Sequence, residues 1–412
     1  MFFSRSKILC FLLLSGFYSN AFSAGFYISE IGTPGSLGTA GVANVTNTFS
    51  ADSSWTNPAG MTGVKDKQTI VAGAQVLFPK IEFDSSVAEA GGSDGGNAGD
   101  IVGIPSFFMT KQLSDEVTFG FSVVGTMGGG MDYGDDFVGR YAVTEVNLQG
   151  LFISPSLGYK VNDNLSLGAG VSFVYTQFEQ EIAMPTLNPA SDGKVKFDDL
   201  DDWGLQPFMG LTYQLNENTI LGIVYRAEFD AELEGDIKFS NVTLPAATNK
   251  KMEIDWTNPQ VLEIGLQYKL DDEYTFFVNA DWEDWSEFSD NHISVTNGVA
   301  TTLERNFKDT WQIGFALSKK MSEESQMALG FSYDSSPVDD DDRTLDLPFD
   351  EQIKLSAAYG WKGNKNLDYS IGTTFMYAGK AKVDQLTPGG RVKGEFDKNY
   401  VLFVGATMRY IF

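Results

Sequence analysis

The chain ends "NYVLFVGATMRYIF", residues 399–412, with an apolar or aromatic side chain at every second position. Phe412, Tyr410, Met408, Ala406, Val404, Leu402 and Tyr400 share one phase. Arg409, Thr407, Gly405 and Asn399 share the other, with Phe403 and Val401 as apolar exceptions. Successive strand side chains point to opposite faces, so this is a two-faced strand whose outer face needs apolar surroundings. A slip of one residue would turn its polar groups to the apolar side.

The same pattern recurs along the chain. "SLGYKVNDNLSLGAG" (156–170), "GLTYQLNENTILG" (210–222) and "GLQYKLDDEYTFF" (265–277) each end a strand on Tyr-x-apolar, turn on Asn, Asp or Glu, and start a new strand. Asn and Asp suit tight turns because they tolerate left-handed backbone and bond their own main chain. Looser copies occur at 111–117, 319–325 and 361–367. Six short turns close six hairpins, or twelve strands. A strand from about Thr69 to Phe83 and the terminal strand bring the total to fourteen. An even count of alternating strands, short turns on one rim and long connections on the other (84–99, 184–199, 233–251, 384–395) predict an all-β fold. It is a transmembrane antiparallel β-barrel of the outer membrane. Tyr159, Tyr213, Tyr268 and Tyr359 then form the periplasmic aromatic girdle. Phe412 would sit in a strand that closes the barrel against the first, leaving no unpaired edge in lipid.

Composition agrees. Mean hydropathy is −0.14, yet glycines number 43 and phenylalanines 32, a mix that hides alternating strands from hydropathy averaging. Arg5 and Lys7 precede an apolar run over 8–17, shorter than the roughly 20 residues of a spanning helix, and Ala21-Phe22-Ser23 is a small-x-small site. Residues 1–23 read as a secretory signal peptide. The one cysteine, Cys10, leaves with it, which excludes disulfide and thiol chemistry from the mature chain. The net charge of −26 argues against nucleic acid as a partner. Acidic runs at 132–136, 198–202 and 339–342 read as solvated loops; 339–342 could also hold a divalent cation.

Residues 24–66 do not alternate. Gly32, Gly35, Gly38 and Gly41 punctuate a Ser-, Thr-, Ala- and Asn-rich stretch that ends in an Asn57-Pro58-Ala59-Gly60 turn. This reads as an N-terminal hatch folded inside the lumen, with residues 67–412 as the barrel. The start Ala24-Gly25-Phe26, the Asn57-Pro58-Ala59 turn, "FVGRY" (137–141), "NDNLSLGAG", "FKDTW" (307–311), "FSYDSSPV" (331–338) and the terminal Phe together resemble the outer-membrane long-chain fatty-acid transporter family, which includes the aromatic-hydrocarbon channels. The resemblance covers essentially the whole mature chain. It implies capture of a hydrophobic molecule by extracellular loops and a pocket beside the hatch reached by Ala24, Gly25 and Phe26. It also implies a hatch shift and lateral exit through an irregularity in the third strand. Here Val117–Val124 alternates and then breaks at "GTMGGGM" (125–131), where glycines weaken the ladder and permit a bulge.

An apolar ligand needs apolar lining and a few placed polar groups. Phe26, Tyr27 and Ile28 supply the first. Arg226, Lys354 and Arg409 face the lumen by phase and are candidates for a fatty-acid carboxylate. Each could equally pair with a lumen acid, Arg226 with Glu228. Without a carboxylate partner, a neutral aromatic or alkane hydrocarbon becomes the expected ligand. Phe137, Val138 and Tyr141, with Met131, form an expected outer capture surface. No catalytic set is found: His292 is the only histidine, in an expected outer loop, and Glu179 and Glu181 are strand-face residues. No cofactor or metal is called for. The expected function is passive uptake of long-chain fatty acids or similar hydrophobic molecules by a barrel that can work as a monomer among outer-membrane lipids. The competing readings are a surface adhesin and an open polar porin.

Overall fold

The computed structural model describes residues 28–186, 192–242, 250–296 and 300–412. The expected signal peptide, 1–23, and Ala24, Gly25, Phe26 and Tyr27 lie outside them. The last strand, Gly390–Ile411, pairs antiparallel with the first, Gln68–Ala88, from Thr69↔Ile411 to Ala88↔Val392. This pairing closes the sheet into a ring and removes the edge that lipid could not satisfy. The Phe412 amide donates to Gln68 O at 3.2 Å, so the terminal residue is tied into the seam. Phe412, Tyr410, Met408 and Val404 point outward, whereas Phe403 and Val401 are fully buried in the lumen. The two apolar exceptions are therefore packing residues, and truncating Phe403 to alanine would cost about 3–5 kcal/mol.

Between the seam strands run Val102–Gln112, Val117–Asp132, Glu145–Lys160, Leu165–Met184 and Gly193–Asn216 as strands two to six. Strands seven to ten are each interrupted: Thr219–Arg226 with Phe229–Ser240, Lys250–Asn258 with Val261–Lys269, and Tyr274–Glu283 with Asp290–Val295 resume on the same neighbours, and Thr301–Glu304 with Thr310–Ser322 does so on the strand-nine side. Ser325–Asp334, Gln352–Asn364 and Leu367–Tyr377, continued by Val383–Thr387, are strands eleven to thirteen. The described segments thus form a closed antiparallel barrel of fourteen strands. The six tight turns fall at 113–116, 161–164, 217–218, 270–273, 323–324 and 365–366. Tyr159, Tyr213, Tyr268 and Tyr359 are exposed on the outer wall at that rim. Trp203, Leu205, Met209, Trp311, Ile313 and Phe315 are the exposed apolar wall above them.

Several expected loops are strand. The hairpins of strands five to eight rise past the apolar band, so 193–199, 233–240 and 250–251 lie in ladders. Val195, Leu200 and Leu233 point inward and are buried, while charged side chains cover the outside. Asp198 is likewise no solvated loop residue: it is buried and bridged by Lys196 at 2.6 Å and by Lys238. His292 belongs to the ninth-strand continuation, exposed, with Nδ1 2.9 Å from Thr302 Oγ1. Residues 383–395 form a hairpin rather than a loop. At 339–342, Asp340 is taken by Arg343 at 2.7 Å and Asp339 by Lys308. No group of three or more potential ligands for a metal occurs among the described residues.

Residues 28–63 pack against the inner wall. Leu37, Val42, Val45, Trp55 and Met61 are buried. Pro34 starts the helical turn Pro34–Leu37, its fixed φ suiting the first position. Asn57 ends Ser53–Thr56 and begins the 3-10 turn Pro58–Gly63, its side chain accepting from Ala59 N. Bonds to several strands hold the segment: Asn57 Nδ2 to Leu211 O at 3.1 Å, Thr62 Oγ1 to Ser166 Oγ at 2.7 Å, and Thr374 Oγ1 to Leu37 O at 2.8 Å. Close approach requires glycine on the wall. A Cβ at Gly168 would lie 2.3 Å from Ala59 N, and one at Gly210 2.1 Å from Asn57 Oδ1.

Candidate functional site

Ladder register puts five inward-facing polar residues at one level of the wall. Glu263 opposes Asp281, Asp281 opposes Gln312, Gln312 opposes Asp334, and Asp334 opposes Gln352. Opposed positions bring Cβ atoms within about 5.5 Å, so the row is continuous across strands eight to twelve. Between it and the N-terminal segment lies a cavity of about 60 Å³, bounded also by Ser29, Trp55, Arg226, Trp285, Phe307 and Lys354.

Arg226 ends the first half of strand seven and is 1% exposed. Its guanidinium lies 4.2 Å from the Trp55 ring centroid and 5.1 Å from that of Phe208, within cation–π range of both rings. One nitrogen, Nη2, donates to Trp55 O. Glu263 is its acid, at 3.9 Å, too long for a hydrogen bond. Nε and Nη1 have no acceptor among the described residues. The expected pairing with Glu228 does not occur: the strand breaks between Arg226 and Phe229, and Glu228 turns to solvent.

Lys354 is already matched, 3.6 Å from Glu30 and 3.5 Å from Asp334. Arg409 is also matched, to Asp66 at 2.8 Å near the turn rim. Of the three expected cations, Arg226 and Lys354 line the cavity, and of these two only Arg226 keeps nitrogens without an acceptor among the described residues.

The third strand carries the predicted irregularity. Its pairing with strand two stops at Phe107↔Val123. Opposite strand four, register shifts between Gly125 and Met127, so Thr126 is bulged. Strand two continues on its other side to Leu77↔Val102, which leaves residues 102–106 bare toward strand three. Pro105 sits in that edge, where a missing N–H costs no ladder bond. The Ile28 amide fills part of the gap, donating to Thr126 O at 2.7 Å.

Phe137, Val138 and Met131 are not an open capture surface. All three are buried, because the 133–144 loop folds inward over the lumen. Phe137 stacks on Tyr133 at 4.3 Å and meets Phe83 at 5.9 Å, and Tyr133 donates to Leu345 O at 3.0 Å. Burial pushes the Tyr133 phenol well above its usual range, so it stays a neutral donor. Tyr141 is part-buried and donates to Asp192 at 2.9 Å beside Arg140.

Trp55, Glu263, Asp281 and Thr126 were not singled out by sequence. Trp55 left one signal, a lone indole in a stretch of small residues. The acids left none beyond their phase.

The family described as outer membrane protein transport protein (OMPP1/FadL/TodX) matches residues 15–412. The chain belongs to that family. As a member it is an outer-membrane β-barrel of a Gram-negative bacterium. Among OMPP1/FadL/TodX relatives, it is 22% identical to the long-chain fatty acid transport protein of Salmonella typhi, over 89% of this chain and 90% of that one. To outer membrane protein P1 of Haemophilus influenzae it is 21% identical, over 91% and 90%. A FadL homologue from Pseudomonas aeruginosa superposes with a TM-score of 0.86 at 17% identity, covering 94% of this chain and 100% of that one. The toluene transporter TodX of P. putida gives 0.69 at 16% identity, over 91% and 99%. Membership of this family places the chain among outer-membrane transport proteins.

Proposed function

We propose that this barrel admits long-chain fatty acids passively, as one chain, without catalysis. Residues 24–66, of which 28–66 are described, act as the hatch. The observation that carries the reading is Arg226. It lines a small, mostly polar cavity bordered also by Trp285 and Phe307, and its Nε and Nη1 have no acceptor among the described residues, which suits the polar head of a ligand. The bare edge over 102–106, beside the Thr126 bulge, is the route of lateral release into the membrane. Asn57, Pro58 and Ala59 hold the hatch to the wall. Ile28 lies beside the exit, bonded to Thr126 O, Ala24, Gly25 and Phe26 are proposed ligand-binding residues, and the Phe137 and Tyr141 loop must open for entry. Lys354 anchors the hatch through Glu30 rather than meeting the ligand. Relatives named as fatty-acid transporters support the same substrate class.

The test is uptake of radiolabelled oleate by a Gram-negative host lacking its own transporter, with Asn57→Ala beside the unaltered chain. Restored uptake, impaired by Asn57→Ala, supports the reading. No oleate uptake by a folded barrel, with toluene uptake instead, would move the substrate to the aromatic hydrocarbons that the TodX likeness suggests.

A further inference from the structure

The cavity that Arg226 lines holds more acid than base. Glu263, Asp281, Glu283 and Asp334 line it against Arg226 and Lys354, and Glu30 stands behind Lys354. A fatty-acid carboxylate entering as an anion would find Arg226 on one side and this row on the other. The row also has an unmet need. Asp281 is 8% exposed, and its Oδ2 accepts from Asn279 Nδ2 at 2.7 Å, but its Oδ1 has no donor. Its direct neighbours across the ladder are Glu263, which cannot donate when ionised, and Gln312. Two residues that line the cavity thus carry buried, unmet polar atoms, donors on Arg226 and a carboxylate acceptor on Asp281.

We infer that the site takes a head group that accepts from Arg226 and donates to Asp281, so that a fatty acid binds together with one proton. The inference rests on the proposed carboxyl site and specifies its chemistry. The ligand carboxylate and Asp281 share a proton drawn from solvent. One oxygen of the ligand accepts from Arg226 Nε or Nη1, and the shared O–H spans the two carboxyl groups. No bond other than that to the proton forms. The groups facing Asp281 are Glu283 and Asn279 on its own strand, Glu263 on the eighth and Gln312 on the tenth. Beyond them stand Asp334 on the eleventh, Lys354 on the twelfth, Arg226 on the seventh and Glu30 on the N-terminal segment. Only Arg226 and Lys354 among them oppose negative charge, and Lys354 is spent on Glu30 and Asp334.

The test uses full-length protein in an uncharged maltoside detergent, with decanoate, 1-decanol and methyl decanoate as probes. Titration calorimetry in buffers of different ionisation heat counts protons. Decanoate should take up about one proton and bind about tenfold tighter for each unit fall in pH above its own titration. 1-Decanol, which both donates and accepts, should bind without pH dependence, and methyl decanoate, which cannot donate, more weakly. Asp281→Asn supplies its own N–H, so decanoate should bind that variant with no proton uptake and at least as tightly at pH 8. Decanoate binding that is flat with pH, or unchanged in proton count by Asp281→Asn, overturns the inference and leaves the carboxyl site standing. Should that variant not fold, equal binding of 1-decanol and methyl decanoate to the unaltered chain overturns it. Decanoate binding at no pH overturns the carboxyl site as well.

Discussion

The amide of Ile28 donates to the carbonyl of Thr126 at 2.7 Å, and this bond joins the N-terminal segment to the bulge of the third strand. It satisfies a carbonyl that the ladder abandons where pairing with strand two ends. An unmet carbonyl in lipid costs several kcal/mol, so the gap is stable only while something caps it.

Deleting Thr126 should therefore close the wall. Without the extra residue, Gly125 and Met127 fall into one register against strand four, and strand three can bond residues 102–106. The barrel should fold with equal or greater heat resistance, while oleate uptake falls at least tenfold. Retained uptake by the folded deletion variant would show that ligand leaves by another route.

How far this site was legible in the sequence depends on which side of the wall a residue faces. Lipid demands an apolar side chain at every second position, so Trp203, Leu205 and Met209 announced their strand and the fourteen-strand count followed. Above the membrane that demand lapses. Around Asp198 and Leu233 the outward positions turn charged and the inward ones apolar, and a reading keyed to an apolar outer face took them for loops. Phase placed Arg226 and Lys354 in the lumen correctly. It could not supply their partners, because Glu263 and Asp334 meet them only through inter-strand register, and Glu30 through the path of the N-terminal segment.

Gly168→Ala should dislodge the segment without unfolding the barrel. The new methyl would sit 2.3 Å from the nitrogen of Ala59 and 2.3 Å from Pro58 C, both backbone atoms that cannot rotate away. Overpacking of this kind costs about 1–3 kcal/mol. The expected outcome is a barrel that still migrates as folded before heating, with ion conductance raised above that of the unaltered chain. Unchanged conductance would mean that the lumen is sealed elsewhere.

The 336–350 connection should loosen in acid. Asp340 accepts from Arg343 at 2.7 Å, and that bond, assisted by Lys382, holds its carboxyl below the usual value of 3.8. A depressed folded value means that the contribution is complete above pH 3.8 and is lost as pH falls through the folded value. Near-UV circular dichroism should show a reversible change in that window. Asp340→Asn should lack the Asp340 component of the transition, and an identical acid transition in the variant would assign it to another group.

Arg226 and Glu263 should depend on each other. Arg226→Gln removes the cation beneath Trp55 and leaves Glu263 in the wall with no opposing charge within 4 Å among the described residues. Breaking one side of a buried pair costs about 3–5 kcal/mol, chiefly through the charge left behind. Replacing both, as Arg226→Gln with Glu263→Gln, removes that charge and should recover most of the loss in urea-unfolding experiments. Stability and binding then separate. The double variant should be nearly as stable as the unaltered chain yet bind decanoate at least tenfold more weakly, because no guanidinium remains for the carboxyl oxygen. A double variant as unstable as Arg226→Gln alone would place the cost in the lost cation–π contact with Trp55 and Phe208 instead. One that binds decanoate normally would take Arg226 out of the ligand site.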